Sequence, residues 1–142
     1  MSVDSNRDLA IRYIRDVVGG GNLALIEELV HPEAQDLSGP WSKGPEGFRE
    51  HILSFRSAFD PVVSIQRVIA DEEYAAVYWM GRGRHVGPAF GIEPTGIPVE
   101  NDFISTLRFR DGMIVQYEVM VDMLRLLVQL GCLGPWESEF PR

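Results

Sequence analysis

Hydrophobic positions recur every three or four residues along the first sixty residues and then begin to alternate. Ala10, Tyr13, Ile14, Val17 and Val18 fall at i, i+3, i+4, i+7 and i+8, the spacing of one helical face. They predict a helix over 6–18, with Asp4 or Ser5 as its cap and Gly19-Gly20-Gly21 as its end. Asn22 can cap a second short helix running through Val30 and stopping before Pro32. Residues 33–44, punctuated by Gly39-Pro40 and Gly44-Pro45, read as irregular. A third helix starts near Pro45, a residue suited to a first turn. Its Phe48, Ile52, Phe55 and Phe59 form an aromatic stripe that must be buried.

Beyond residue 61 the period drops to two. Strands are predicted at 62–70, 74–85, 99–110 and 113–121, with a Gly- and Pro-rich loop over 86–98. Asp111-Gly112 is a two-residue hairpin signal. A short helix over 123–130 follows, ended by Gly131, and the tail 132–142 reads as irregular. Helices first and strands afterwards argue for an α+β fold. The N-terminal helices would pack on a strongly curved, mainly antiparallel sheet of four strands. The inside would then be a cone around an apolar pocket.

The alternation selects lining residues. Asn101, Phe103 and Ser105 share one parity and mix apolar with neutral polar groups. Trp79 belongs to pocket wall or core. Tyr13 and Phe55, from the two helical stripes, complete the candidate wall. His85 shares the parity of Trp79, Gly81 and Gly83; it can donate to a substrate carbonyl or lie exposed in the loop. Glu118 and Met120 share the parity of Asp122 if the last strand is regular to its end, and that face is either pocket or solvent. His31 and His51 look peripheral.

Composition narrows the partners. The chain has 142 residues, which favours one domain spanning 1–142. Against 13 Lys and Arg stand 21 Asp and Glu, a net charge of −8. That disfavours nucleic acid and anionic membrane as partners. The start is polar and acidic, no apolar run reaches membrane-span length, and a single Cys132 makes no intrachain disulfide. A cytoplasmic protein without cofactor is the expectation. Metal, nucleotide and nucleophile-elbow motifs are missing from the sequence, and Cys132 reads as structural.

Asp122 carries two readings. It precedes a short apolar helix, so its carboxylate can cap that helix. Its neighbours Val119, Met120, Val121, Met123 and Leu124 are apolar, so it can also be a desolvated base. The two roles conflict, because capping hydrogen bonds lower a carboxyl's pKa and a base needs it raised.

Several segments now coincide with a known pattern. They are Gly44-Pro45-Glu46-Gly47-Phe48, Gly91-Ile92-Glu93-Pro94-Thr95-Gly96, Phe109-Arg110-Asp111-Gly112-Met113-Ile114-Val115, and Asp122 ahead of Leu126-Leu127-Val128-Gln129-Leu130-Gly131. In this order the chain resembles the SnoaL-like polyketide cyclases, of the nuclear-transport-factor-like cone fold, over about residues 8–131. The resemblance implies closure of a polyketide ring by an intramolecular aldol reaction on a small apolar or aromatic substrate. It implies Asp122 as general acid and base, and a homodimer through the convex sheet face. The family often has an Asp-His pair after the second helix; here Asp36 is followed by Leu37. That departure keeps open a related pocket enzyme (hydroxylase, isomerase or epoxide hydrolase) or a binding protein without turnover.

Overall fold

The structure is a computed structural model and describes residues 2–133. Most of the tail expected to be irregular, from residue 134 on, lies outside those residues. The first helical stripe forms as expected, but in two parts. α1 spans Val3–Arg12 and widens into a π-helical segment, Tyr13–Gly19. Its cap is Ser2, whose side chain accepts from the Ser5 N–H, not Asp4 or Ser5. The five stripe residues are all buried. At the far end, Arg56 donates to the carbonyls of Val18 and Gly19 at 2.9 and 2.7 Å. A helix end without further turns is thus satisfied by a side chain. α2, Ala24–Leu29, begins after Leu23 without a side-chain cap, so Asn22 does not take the role expected of it.

The main departure follows. Val30–Asp36, expected as the last residue of a helix and an irregular stretch, is a strand, β1. It lies parallel to the last strand, and the sheet has five strands in the order β1-β5-β4-β3-β2. β1 is at an edge, where Pro32 removes no ladder hydrogen bond. α3 occupies Pro45–Phe59, and β2 Val62–Ala70, β3 Tyr74–Arg84, β4 Pro98–Arg110 and β5 Met113–Val121 follow as antiparallel neighbours. α4 covers Met123–Gln129. Asp111 and Gly112 both have positive φ, 55° and 75°, as a tight hairpin whose twist suits the strands requires.

One face of the sheet is covered. Val77, Trp79, Phe103, Leu107, Ile114 and Tyr117 meet Ala10, Tyr13, Ile14, Val17, Phe48 and Ile52 in one core cluster. Burying each large side chain contributes about 1.5–3 kcal/mol. A second cluster, Ala58, Phe59, Val99, Leu126 and Leu130, closes the other end with α4. Between the clusters the helix α3 and the sheet do not meet fully, and the space between them is hollow.

Candidate functional site

The hollow has a volume of about 460 Å³, within the roughly 300–1,000 Å³ of small-molecule sites. α3 forms one wall through His51, Ile52, Phe55 and Phe59, and β3, β4 and β5 the other through Trp79, Phe103, Asn101, Tyr117 and Val121. Met123 and Leu126 of α4 close one end, and Trp41 and Phe90, from loops, border it as well.

The floor is aromatic. Trp79 and Phe103 stack with centroids 4.1 Å apart and planes 6° from parallel, and Phe55 meets both edge-on at 6.0 and 5.8 Å. Asn101 is the polar group set into this wall. Its Nδ2 donates to the Asp122 carbonyl at 3.1 Å, while its buried Oδ1 has no hydrogen-bond partner among the described residues. So Trp79, Phe103, Asn101 and Phe55, all singled out from the sequence, line one cavity.

Other candidates lie elsewhere. Ser105 is fully buried behind the wall. Its Oγ accepts from Trp79 Nε1 at 2.9 Å and meets the Tyr117 hydroxyl at 2.8 Å, so it orients wall residues without lining the cavity. Tyr13 packs edge-on against Tyr117 at 5.3 Å and belongs to the core. His85 is fully buried but not at the cavity. It stacks on Phe59 at 5.5 Å, and its Nδ1 accepts from the Thr95 N–H, pinning the Gly- and Pro-rich loop to the end of β3.

A bulge decides between the two faces open to Glu118 and Met120, in favour of solvent. With Arg110 opposite Met113 and Phe109 opposite Ile114, a regular hairpin would place Ser105 opposite Glu118. The register instead slips by one between Arg108 and Phe109, and Glu118 faces Thr106 while Met120 faces Ile104. One extra residue on β5, Val115, turns every later side chain over. Glu118 is exposed, and Met120, though it borders the cavity, is 64% exposed on the outer face.

Asp122 resolves toward its capping role. It is the N-cap of α4, and its Oδ1 accepts from the Arg125 N–H at 3.0 Å. The residue is exposed and does not border the cavity. The dry interior position expected for it is therefore not the one it occupies: the first turn of α4 needs its carboxylate, and that turn starts at the rim.

A different carboxylate is buried. The Asp36 side chain is 0% exposed, and its Oδ2 lies 2.6 Å from Nδ1 of His51 on α3. Its Oδ1 accepts from the Ser38 N–H at 2.9 Å. The His lacking after Asp36 in the chain thus comes from fifteen residues on. His51 is 18% exposed and borders the cavity. Trp41 stacks on it at 4.9 Å and 12°, and Tyr117 meets it edge-on at 6.2 Å. A Cβ on Gly47 would stand 1.6 Å from the Ser42 carbonyl, so only glycine lets the Trp41 loop lie on α3. A sequence signal for His51 existed, because it sits three residues after Phe48 and four before Phe55, on the stripe itself. Tyr117 had none beyond its strand parity, which the bulge reverses. Burial pushes the Tyr117 and Tyr13 phenols up, so both stay protonated at neutral pH.

Among the described residues no group of three or more His, Cys, Asp or Glu could hold a metal ion, and no helix is long and apolar enough to cross a membrane. Comparison with known proteins gives a consistent result. A family model described as SnoaL-like polyketide cyclase matches residues 8–130. The aklanonic acid methyl ester cyclase of Streptomyces galilaeus is 27% identical over 144 residues, covering 97% of this chain and 99% of that protein. The nogalonic acid methyl ester cyclase of Streptomyces nogalater is 26% identical over 119 residues, 80% of this chain and 87% of that protein. Among solved structures, TsrD from Streptomyces laurentii superposes with a TM-score of 0.84 at 25% identity, covering 94% of this chain and 99% of that one. A SnoaL-like polyketide cyclase from Agrobacterium tumefaciens has a TM-score of 0.76 at 14% identity, covering 92% and 99%, a likeness of fold alone.

Proposed function

Because the chain belongs to the SnoaL-like polyketide cyclase family, we propose that it closes a ring in a polyketide acid methyl ester by an intramolecular aldol reaction, without a cofactor. The observation that carries this reading is the aromatic-floored cavity between α3 and the sheet. Ring closure needs a flexible chain held so that a carbon flanked by carbonyls lies against an electrophilic carbonyl. Well-oriented intramolecular reactions gain effective molarities of roughly 10⁵–10⁸ M. A flat aromatic floor seats the part of the molecule already cyclised. Asn101 sets one neutral polar side chain into this otherwise largely apolar wall. The remaining requirement is one group that removes a proton and returns it.

The test is incubation of the purified protein with aklanonic and nogalonic acid methyl esters, followed by mass spectrometry. A product of unchanged mass, or one lighter by a water, formed faster than in the protein-free blank, is expected. A product gaining oxygen, or binding with no product, overturns the cyclase reading. We extend the proposal to a homodimer through the outer sheet face, where the cross-strand neighbours Ile104 and Met120 are both exposed; sedimentation as a monomer alone overturns that part.

A further inference from the structure

We propose that His51 is the acid–base group of the ring closure and Asp36 its positioning partner, an assignment that rests on the cyclase reading above. Among the described residues, the ionisable side chains that border the cavity are His51, Arg82 and Tyr117. A guanidinium does not give up its proton in a protein. The Tyr117 phenol is held protonated by burial. Imidazole is the side chain suited to exchanging a proton near neutrality. Asp122, exposed and capping α4, is not at the wall.

The pair is built for this role. A carboxylate only accepts, so Nδ1 of His51 donates to Asp36 Oδ2 across the 2.6 Å contact. That fixes the neutral tautomer and leaves the Nε2 lone pair, which no described residue engages, as the basic site. The stacked Trp41 and edge-on Tyr117 set the plane of the ring. Asp36 is itself fixed through Oδ1 by the Ser38 N–H, and the Ser38 Oγ accepts from the Val119 N–H on β5 at 3.0 Å. A merely structural pair joining β1 to α3 would not need to border a cavity.

The step balances within the substrate. Nε2 takes the proton from the carbon flanked by carbonyls, and the C–H electron pair becomes an enolate. The enolate carbon attacks the second carbonyl carbon, forming the C–C bond, and that carbonyl's π pair moves to its oxygen. The alkoxide then takes the proton back from Nε2. No electron donor, acceptor or co-substrate is consumed.

Proton removal is separable from ring closure. The probe is an anthraquinone bearing a β-keto methyl ester side chain, which has the acidic C–H but no electrophilic carbonyl within reach of its carbanion. Deuterium wash-in from D₂O is followed by NMR at near-neutral pD, where an imidazole can present a free lone pair, as the excess over a protein-free blank, and probe affinity by tryptophan fluorescence. Wild type is expected to accelerate wash-in. His51→Gln should lower the rate by roughly 10²–10⁴-fold with the probe's Kd within about threefold. Asp36→Asn should lower it less, again with little change in Kd. Wash-in that survives in His51→Gln and disappears in Asp122→Asn, which preserves the cap, overturns the assignment, as does a wild type without wash-in. Should His51→Gln fail to fold, ethoxycarbonylation of the wild type replaces it: wash-in must fall in step with modification of His51, and bound probe must protect it; wash-in unaffected by full modification overturns the assignment. His51-dependent wash-in with no ring closure of the two esters would sink the cyclase reading and leave the acid–base assignment standing.

Discussion

Ser105 is small, yet two large side chains depend on its oxygen. Trp79 Nε1–H and the Tyr117 hydroxyl both lie against it, at 2.9 and 2.8 Å, in a place with no access to water. Leaving a buried polar group without its partner costs about 1–3 kcal/mol. Ser105→Ala strands two such groups at once and adds little void. A loss of roughly 2–4 kcal/mol is expected, read as a lower urea midpoint at unchanged m. A loss below about 1 kcal/mol would mean that neither bond is made in solution. The same residue shows how far a pattern of alternation reaches. Parity placed Ser105 on the inner face, where it is, but parity does not separate the front of a wall from the back. Asn101 and Phe103, of identical parity, border the cavity, whereas Ser105 lies behind it.

The elements differ in how much of themselves they reveal locally. β2 and β5 coincide with the stretches of alternation because each has several branched or aromatic residues on one face. β1 was invisible. Its seven residues, Val30-His31-Pro32-Glu33-Ala34-Gln35-Asp36, hold two apolar inner positions, and its pairing partner β5 lies some eighty residues on. No local signal reports a parallel edge strand of that kind. The Val115 bulge was equally hidden, and its effect was larger, because it turned Glu118 and Met120 outward and Tyr117 inward. His51 was hidden in its chemistry only: its partner Asp36 ends the strand that could not be seen. α4 was legible down to its cap, and that cap is testable. Asp122→Ala removes the acceptor for the Arg125 N–H and should cost about 1 kcal/mol, while Asp122→Asn should cost a few tenths at most. Because α4 seals the second core cluster with Leu126 and Leu130, the Ala variant should also expose the cavity end to quencher. Equal stability of both variants with wild type would mean that the carboxylate is not the cap.

At the scale of the whole molecule, alkaline pH is the condition that probes the core most directly. Tyr13 and Tyr117 lie edge to face in the middle of the main cluster, 0% and 2% exposed. Burial is the first cause raising both phenols, and the neighbouring Asp36 adds to it. Below about pH 10, the ordinary tyrosine value, folded and unfolded chains both keep these protons and stability is unaffected by them. Above it the unfolded chain releases them and the folded chain does not. Stability then falls with pH, by up to about 1.4 kcal/mol per unit for each phenol, until the raised folded values are reached. Two such groups remove up to about 2.7 kcal/mol per unit, against the roughly 5–15 kcal/mol that holds an ordinary domain together. The net charge of −8 at neutrality adds self-repulsion in the same direction. Phenolate absorbance and far-UV circular dichroism, followed together from pH 9 to 13, should show two of the four tyrosines ionising only as the fold is lost. Tyr13→Phe separates this cause from general charge repulsion. The Tyr13 hydroxyl has no hydrogen-bond partner among the described residues, so removing it leaves nothing stranded. The variant should be as stable as wild type at pH 7 and unfold at higher pH. An alkaline midpoint that does not move would assign the transition to surface charge.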